Sequence, residues 1–265
     1  MKALIKLGGT LLDSPDVRAR LAGEIRDAVQ RGVQITVVHG GGKQLTRYLA
    51  ERGGESRFID GLRVTTPETM DAVLKILAGS VNQELVAALA AEGLAAVGLT
   101  GVDAYLVEAE PMSRQLGQVG RITRANPELL DVLIGRGYIP VVACIAGDRK
   151  GCMYNVNADQ MAAACAAAWR ADRLLFLTDI AGVLDAHGEI RPALTAEDCR
   201  ALIAAGVAKG GMQAKLNAAT AALDHGVEEI RIAPGAAAGV IARLLAGEPG
   251  GTRIVHAREQ VTSHD

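Results

Sequence analysis

The chain has 265 residues, of which 49% are hydrophobic and 22% are charged, and its formal net charge is only -2. At about 150 residues per domain, this length allows one large domain or two packed lobes with a sizeable buried core. So small a net charge gives no long-range field favouring nucleic acid or a membrane surface, and a small molecule is the expected partner.

The N-terminal segment predicts no export signal. Residues 1–6 lead directly into Gly8-Gly9, before a signal-peptide core could form, and no apolar run approaches the roughly 20 residues of a membrane-spanning helix. We therefore expect a cytoplasmic protein.

Cysteine and histidine spacing predicts neither a metal site nor a disulfide framework. The four cysteines contain no CxxC pair, and the five histidines are scattered along the chain. Cys144 ends an apolar run and Cys165 lies in an alanine-rich helix, so both are expected to be buried, inert thiols.

Strand-like apolar runs alternate with helix-length segments along the chain. The runs cover residues 3–7, 35–38, 95–99, 139–144, 174–177, 229–232 and 253–255. This alternation predicts an α/β fold whose open, mainly parallel sheet is sandwiched between helices. Helix starts are marked by Ser14-Pro15, Thr66-Pro67, Asn126-Pro127 and Thr195.

Two stretches break this alternation, residues 57–64 and residues 105–123. We interpret both as antiparallel excursions that form a small lid region. Residues 147–154 indicate a hairpin, and we divide the chain near residue 170 into two lobes, residues 1–170 and residues 171–265.

The first two strands end in glycine-rich turns, Lys6-Leu7-Gly8-Gly9 and His39-Gly40-Gly41-Gly42. Both turns belong at the carboxyl edge of a parallel sheet, where ligands bind. Glycine lets backbone N–H groups approach phosphate oxygens, and the helix that begins at Gly42 adds its positive end. Either turn alone could serve only to pack a helix on a strand, but together with Lys6 they favour phosphate.

The common nucleotide motifs do not fit these turns. Gly42-Lys43 is followed by Gln44 where a P-loop needs Ser or Thr, and no GxGxxG occurs in the sequence. P-loop enzymes and simple dinucleotide binders are therefore excluded.

Two further segments combine polar groups with helix starts. In residues 155–160, Asn155 or Asn157 could be a helix cap, or the amide and carboxylate groups could contact a substrate. Lys215 lies near the start of a helix, where the dipole disfavours a cation. It is therefore either a solvated lysine or one that needs an anionic partner.

Six segments together carry a family resemblance, namely residues 6–9, 39–42, 61–65, 155–160, 178–184 and 211–215. From Lys6 to about Val255 the sequence resembles the acetylglutamate kinases of the amino-acid kinase family. The resemblance implies ATP-dependent phosphorylation of the side-chain carboxylate of N-acetyl-L-glutamate, giving N-acetyl-L-glutamyl 5-phosphate, a step of arginine biosynthesis. It assigns acyl-amino-acid binding and dimerisation to residues 1–170 and nucleotide binding to residues 171–265.

The resemblance also implies site residues. The catalytic set would be Lys6, Lys215, Asp159, Gly9 and Gly42. The acyl-amino acid would contact Gly41, Gly42, Arg63 and Asn155. ATP would lie over Thr178, Asp179, Ile180, Ala181, Gly182, Val183, Leu184, Val207, Ala208 and Lys209. Mg²⁺ is expected with the nucleotide, and no protein ligand can be named for it.

Two alternatives and one departure accompany this interpretation. A kinase acting on carrier-protein-linked aminoadipate shares the fold, but such relatives tend to carry glycine at the position of Ala158. An inactive, ligand-binding regulatory homologue would be expected to lack a catalytic lysine, whereas this chain has lysine at both of the corresponding positions. Many relatives place glycine at the position of Ala104, so the conformation of this loop is an open question.

The resemblance further implies a homodimer. Only residues 1–5 precede the first motif lysine, whereas arginine-inhibited relatives carry an additional helix there, so we expect insensitivity to arginine. The helix after Thr66, with Met70, Val73, Leu74 and Leu77, is the expected contact face, although the same spacing suits a core face equally well.

Overall fold

The structure is a computed structural model that describes residues 1–256. Its strands are β1 (Lys2–Leu7), β2 (Gln34–His39), β3 (Phe58–Ile59), β4 (Leu62–Arg63), β5 (Ala96–Thr100), β6 (Val107–Pro111), β7 (Gly120–Ala125), β8 (Ile139–Ala143), β9 (Ile145–Gly147), β10 (Met153–Asn155), β11 (Arg173–Thr178), β12 (Ala193–Thr195), β13 (Glu229–Pro234) and β14 (Thr252–Val255).

The α-helices are α1 (Gly9–Leu12), α2 (Pro15–Gln30), α3 (Gly42–Ala50), α4 (Pro67–Val73), α5 (Asn82–Ala91), α6 (Glu128–Gly135), α7 (Ala158–Trp169), α8 (Ala196–Ala204), α9 (Gly210–Asp224) and α10 (Val240–Leu245). A π-helical segment, Leu74–Val81, joins α4 to α5, and short 3₁₀ turns cover Asp103–Tyr105 and Arg114–Leu116.

The main sheet has eight strands in the order β12-β14-β13-β11-β1-β2-β8-β5. Every neighbouring pair is parallel except β13 with β14. Its central strands are buried nearly throughout, as expected when helices cover both faces. The predicted fold class is therefore confirmed.

The sheet is continuous across the predicted lobe boundary, because β1 pairs with both β2 and β11. The division of the chain near residue 170 stays a prediction. Residues 257–265 of the second lobe lie outside the described residues.

The predicted antiparallel segments are confirmed. β3 and β4 form a two-stranded hairpin, and a second sheet has the strand order β10-β9-β6-β7. Within it, β6 pairs antiparallel with β7 and β9 antiparallel with β10, which is the hairpin predicted for residues 147–154.

Three of the predicted helix starts carry side-chain caps. Ser14 caps α2 and Thr66 caps α4, in each case by accepting from a backbone N–H of the first turn. Thr195 forms a reciprocal capping box with Asp198 at the start of α8. At the fourth start, Asn126 Oδ1 accepts from the Glu128 N–H at 3.2 Å.

α4, the π-helical segment and α5 form one continuous helix, Pro67–Ala91, with a mean hydropathy of 1.3 in its most apolar window. By length and composition it could cross a membrane, which the sequence analysis did not anticipate. Within this window 44% of the residues are buried inside the chain, and core helices of globular proteins meet the same criterion.

The expected dimer face on this helix is wrong for three of its four residues. Met70, Val73 and Leu77 are buried within the single chain, and Leu74 packs partly buried against the same core. The core alternative therefore holds, because side chains already buried in one chain have no surface to offer a second.

The loop at Ala104 departs from ordinary backbone geometry. Ala104 has φ 49°, in the left-handed region that glycine favours and that costs other residues about 1–2 kcal/mol. The loop is held by Asp103 Oδ2, which accepts from the Thr100 N–H at 2.6 Å and from the Thr100 hydroxyl at 3.0 Å. This chain therefore adopts a left-handed backbone at Ala104 although the residue has a side chain.

Candidate active site

Three charged side chains meet where the central strands end. Lys6 lies near the end of β1, Asp159 lies in the first turn of α7, and Lys215 lies in α9. Lys6 Nζ is 2.9 Å from Asp159 Oδ1, and Lys215 Nζ is 3.0 Å from each carboxylate oxygen of Asp159. These three residues are 8%, 8% and 6% exposed in chain order, so the alternative of a solvated Lys215 is wrong.

One carboxylate between two ammonium groups leaves one unbalanced positive charge in a buried place. Burial raises the pKa of Asp159, but Lys6 and Lys215 lower it by more, so the carboxyl stays ionised. Burial and the charge of Lys6 together lower the pKa of Lys215. A buried excess charge is costly without a counterion, and the cluster is therefore suited to an anion such as phosphate.

Beside these charges lies a cavity of about 240 Å³. It is lined by many of the residues predicted for the reaction centre, namely Lys6, Gly9, Gly41, Gly42, Arg63, Asn155 and Asp159. Lys215 reaches the same place through its contacts with Asp159. The fold thus brings together the residues predicted for catalysis and for the acyl-amino acid, and their roles stay predictions.

The two glycine turns pack against each other without room for side chains. A Cβ atom at Gly9 would lie 3.1 Å from the backbone nitrogen of Gly41, and one at Gly41 would lie 2.4 Å from Leu77 Cδ2. A side chain at either glycine would make its neighbours shift, so the close approach favours glycine, which also lets the backbone N–H groups come near a ligand.

Arg63 is a buried cation at the cavity. Its Nη2 donates to the Gly42 carbonyl at 3.0 Å and to the Thr46 hydroxyl at 2.8 Å, and Nη1 contacts Ser56 Oγ. Within residues 1–256 no carboxylate lies within ion-pair distance of its guanidinium, and burial lowers its pKa. A carboxylate ligand would supply the missing charge in the planar, two-pronged geometry that arginine favours.

For residues 155–160 the sequence left two interpretations open, a helix cap or a contact with substrate, and the two asparagines differ in this respect. Asn157 caps α7, because its Oδ1 accepts from the N–H groups of Asp159 at 2.9 Å and Gln160 at 3.1 Å. Asn155 lines the cavity and donates to Thr65 Oγ1 at 3.1 Å. The cap is therefore Asn157, and Asn155 stays a predicted substrate contact.

The residues predicted for the nucleotide lie at the same edge of the sheet but do not line this cavity. Thr178 ends β11 beside the first glycine turn, where the Gly8 N–H donates to the Leu177 carbonyl at 2.9 Å. The side chains of Val183 and Ala208 are buried, so only their backbone groups are available to a ligand. Lys209 occupies the N-cap position of α9.

Sequence reasoning missed a buried pair behind the second glycine turn. His39 Nδ1 lies 2.8 Å from the Gly40 carbonyl oxygen, and His39 Nε2 lies 2.9 Å from Asn82 Nδ2. In the sequence, His39 stands out only as part of the glycine motif. The one signal for Asn82 is that an amide side chain lies inside an otherwise apolar helix, where it needs a hydrogen-bond partner.

The cysteines take no part in this arrangement. Cys144 borders the cavity, but burial raises the pKa of its thiol to about 11. Burial likewise raises the pKa of Cys165 to about 12. Both are the inert, buried thiols expected from the sequence, and all four cysteines are free.

A buried cluster with excess positive charge at the carboxyl edge of a parallel sheet suits an enzyme that handles phosphate, and comparison with known proteins identifies the class. The sequence model of the amino acid kinase family matches residues 1–234. The chain belongs to the amino acid kinase family.

Its relatives narrow this class. The chain is 62% identical to the acetylglutamate kinase of Solibacter usitatus, over 97% of this chain and 100% of that protein. It is 46% identical to the acetylglutamate kinase of Acidobacterium capsulatum, over 92% and 95% of the two chains. The resemblance inferred from the motifs is confirmed.

Among solved structures, the chain is similar to N-acetylglutamate synthase from Neisseria gonorrhoeae in complex with coenzyme A and N-acetyl-glutamate. The TM-score is 0.85 at 26% identity, over 96% of this chain. The chain spans 59% of the length of that synthase.

Proposed function

We propose that this kinase transfers a phosphoryl group from ATP to the side-chain carboxylate of N-acetyl-L-glutamate, forming N-acetyl-L-glutamyl 5-phosphate in arginine biosynthesis. Two relatives named acetylglutamate kinase, at 62% and 46% identity over nearly the whole chain, support this substrate. The observation that carries the proposal is the buried Lys6–Asp159–Lys215 cluster beside Arg63, whose guanidinium has no carboxylate partner within residues 1–256. In this proposal the two lysines face the phosphate and Arg63 binds a carboxylate.

The reaction needs no general base. A side-chain carboxyl has a reference pKa of about 4.3, so the acceptor is already an anionic nucleophile at neutral pH. The barrier lies in bringing two anions together and in stabilising the charge that spreads over the transferred phosphoryl group. Lys6 and Lys215 supply that stabilisation, and the N–H groups of Gly9 and Gly42 add preorganised donors.

Asp159 has a different role in this mechanism. It touches both ammonium groups and its pKa is held low, so it fixes the positions of the two lysines and does not carry a proton. ATP lies over residues 178–184 and 207–209 in this proposal. Mg²⁺ would accompany the ATP phosphates and neutralise part of their charge, and no protein ligand is named for it.

The proposed substrate is tested by an ATP-dependent hydroxamate assay, because hydroxylamine traps acyl phosphates. N-acetylglutamate, glutamate, aspartate and aminoadipate are compared in parallel, with the Lys6→Ala Lys215→Ala double variant as the blank. We expect N-acetylglutamate to give the highest kcat/KM. A higher kcat/KM for aminoadipate would contradict the proposed substrate. If none of the four compounds gives more hydroxamate than the blank, the protein is not a kinase of free acyl-amino acids.

Arg63→Lys is expected to raise the KM for N-acetylglutamate about tenfold, because lysine keeps the charge but loses the two-pronged geometry. The KM for ATP should change less than about twofold. Steady-state kinetics with each substrate varied in turn measures both constants.

Arg121→Lys is the matched control, since Arg121 is exposed and pairs with Glu110 away from the cavity. An equal rise of both KM values in Arg63→Lys would show that Arg63 is not a dedicated contact for the acyl-amino acid.

We further propose a cytoplasmic homodimer with no membrane or nucleic-acid partner. The near-neutral composition and the family resemblance support this, and light scattering that gives the mass of one chain would contradict the dimer.

A further inference from the structure

His39 is fully buried at the end of β2, directly before the glycine turn, and the mechanism above gives it no role. It is the last side chain before the three glycines, two of which are predicted to bind substrate through their backbone groups. Its surroundings show what it does there.

The contacts of His39 fix one neutral tautomer. Asn82 Nδ2 lies 2.9 Å from His39 Nε2 and 2.9 Å from the Val141 carbonyl oxygen. An amide nitrogen can only donate, so Nε2 must accept. Nδ1 then carries the proton and donates to the Gly40 carbonyl at 2.8 Å. Burial agrees with this state, since it lowers the pKa of His39 to about 4.

The hydrogen bond from His39 to the Gly40 carbonyl also fixes the direction of the next backbone N–H, that of Gly41. In a trans peptide the carbonyl and the following N–H point in opposite directions, and the described residues contain no cis peptide. The N–H of Gly41 is therefore directed away from His39, and Gly41 lines the cavity. Because glycine has no Cβ to restrict its φ and ψ angles, the glycine turn does not fix the orientation of this peptide by itself.

The π-helical segment supports the turn from the other side. Leu77 and Val81 belong to it, and they are the side chains that a Cβ at Gly41 would meet, at 2.4 Å and 3.4 Å. Asn82 follows the segment directly. A π-helical turn shifts the residues after it relative to α-helical register, and such turns are frequent at functional sites. Here the π-helical segment contacts the turn, and the residue directly after it supplies the amide that holds His39.

We propose that His39, held in one tautomer by Asn82, is a positioning residue that aims the Gly41 N–H at the acyl-amino-acid substrate. The inference rests on the proposed function for the identity of that substrate. It assigns His39 no proton transfer, because the proton on Nδ1 stays in its bond to the Gly40 carbonyl.

The kinetic test compares His39→Leu with His39→Asn. Leucine removes the donor, whereas the asparagine Nδ2 is as many bonds from Cα as histidine Nδ1 and can still donate to the Gly40 carbonyl. We expect His39→Leu to raise the KM for N-acetylglutamate about tenfold with the KM for ATP unchanged, and His39→Asn to restore it to within about threefold of the wild type.

His225→Leu is the matched control, because exposed His225 also has Nδ1 2.8 Å from a backbone carbonyl, that of Ala221, but lies outside the site. Its KM values should equal those of the wild type. If His39→Leu lowers only kcat in proportion to the folded fraction, with both KM values unchanged, His39 is merely structural and the proposal is overturned.

A second measurement needs no variant of His39 to fold. In the wild-type protein labelled with ¹⁵N-histidine, two-bond ¹⁵N–¹H spectra should show one ring that stays neutral and Nδ1-protonated down to pH 5. If the ring that stays neutral at pH 5 is protonated on Nε2, or if no ring stays neutral there, the proposal is overturned whatever the substrate is. Loss of all N-acetylglutamate turnover in the wild type would instead contradict the proposed function and leave this result standing.

Discussion

Lys6→Ala and Lys215→Ala are each expected to lower kcat about a hundredfold or more. Removing one preorganised donor from a charged transition state has an effect of this size. Both lysines touch the same buried carboxylate, so each variant removes a cation from the centre of the cluster. The KM for N-acetylglutamate should change far less than kcat, because Arg63 and not the lysines binds the free carboxylate of the substrate in this proposal.

These losses should not come from unfolding. Either substitution leaves Asp159 with one lysine, which turns a cluster of net charge +1 into a neutral buried pair. We therefore expect the free energy of unfolding at pH 7 to fall little, as measured by urea denaturation of each variant. Lys150→Ala is the control, because Lys150 is exposed in the hairpin between β9 and β10. This variant loses a positive charge outside the candidate site. Activity within a few-fold of wild type in either active-site variant would contradict the mechanism.

Part of the charged cluster could be predicted from the sequence, because parallel strands end at one edge of a sheet. Lys6 and His39 are placed by β1 and β2, and these strands pair in register from Lys2 with Gln34 to Leu7 with His39. Asp159 and Lys215 are 56 residues apart and meet only because α7 and α9 pack side by side. For that contact the family motifs, and not periodicity, carried the prediction.

The His39 and Asn82 pair could not be predicted in this way. Whether Asn82 faces β2 depends on the π-helical segment before it, and nothing in the apolar pattern of residues 74–81 distinguishes a π turn from an α turn. Met70, Val73 and Leu77 were expected at a dimer surface from the family resemblance, with a core face left open, because periodicity identifies an apolar face but not what covers it. Burial in the folded chain decides that question.

Asp159→Asn is expected to lower both activity and stability. The substitution keeps the shape of the side chain but leaves the two buried ammonium groups without the carboxylate that contacts both of them. Breaking a buried ion pair in this way costs about 3–5 kcal/mol of unfolding free energy. The lysines should also move apart, so kcat should fall about a hundredfold or more. Urea denaturation at pH 7 and the hydroxamate assay measure the two effects.

The pH dependence of this effect has a definite sign. The pKa of Asp159 is lowered on folding, so its contribution to stability is fully present above the ordinary carboxyl value of about 3.9 and is lost as pH falls through the lower, folded-state pKa. The stability difference between wild type and Asp159→Asn should therefore be constant near neutral pH and shrink only in strong acid. Sulfate, which can lie between the two ammonium groups, should stabilise the variant more than the wild type.

Asp71→Asn is the matched control, since Asp71 pairs with Lys75 at 2.5 Å but both side chains are more than half exposed. Surface pairs of this kind contribute little to stability, so the control should unfold and react like the wild type. If Asp159→Asn does the same, the carboxylate is not what holds the two lysines together. The excess charge of the cluster would then need another partner within the protein, and the argument that the site is built for a phosphate anion would fail with it.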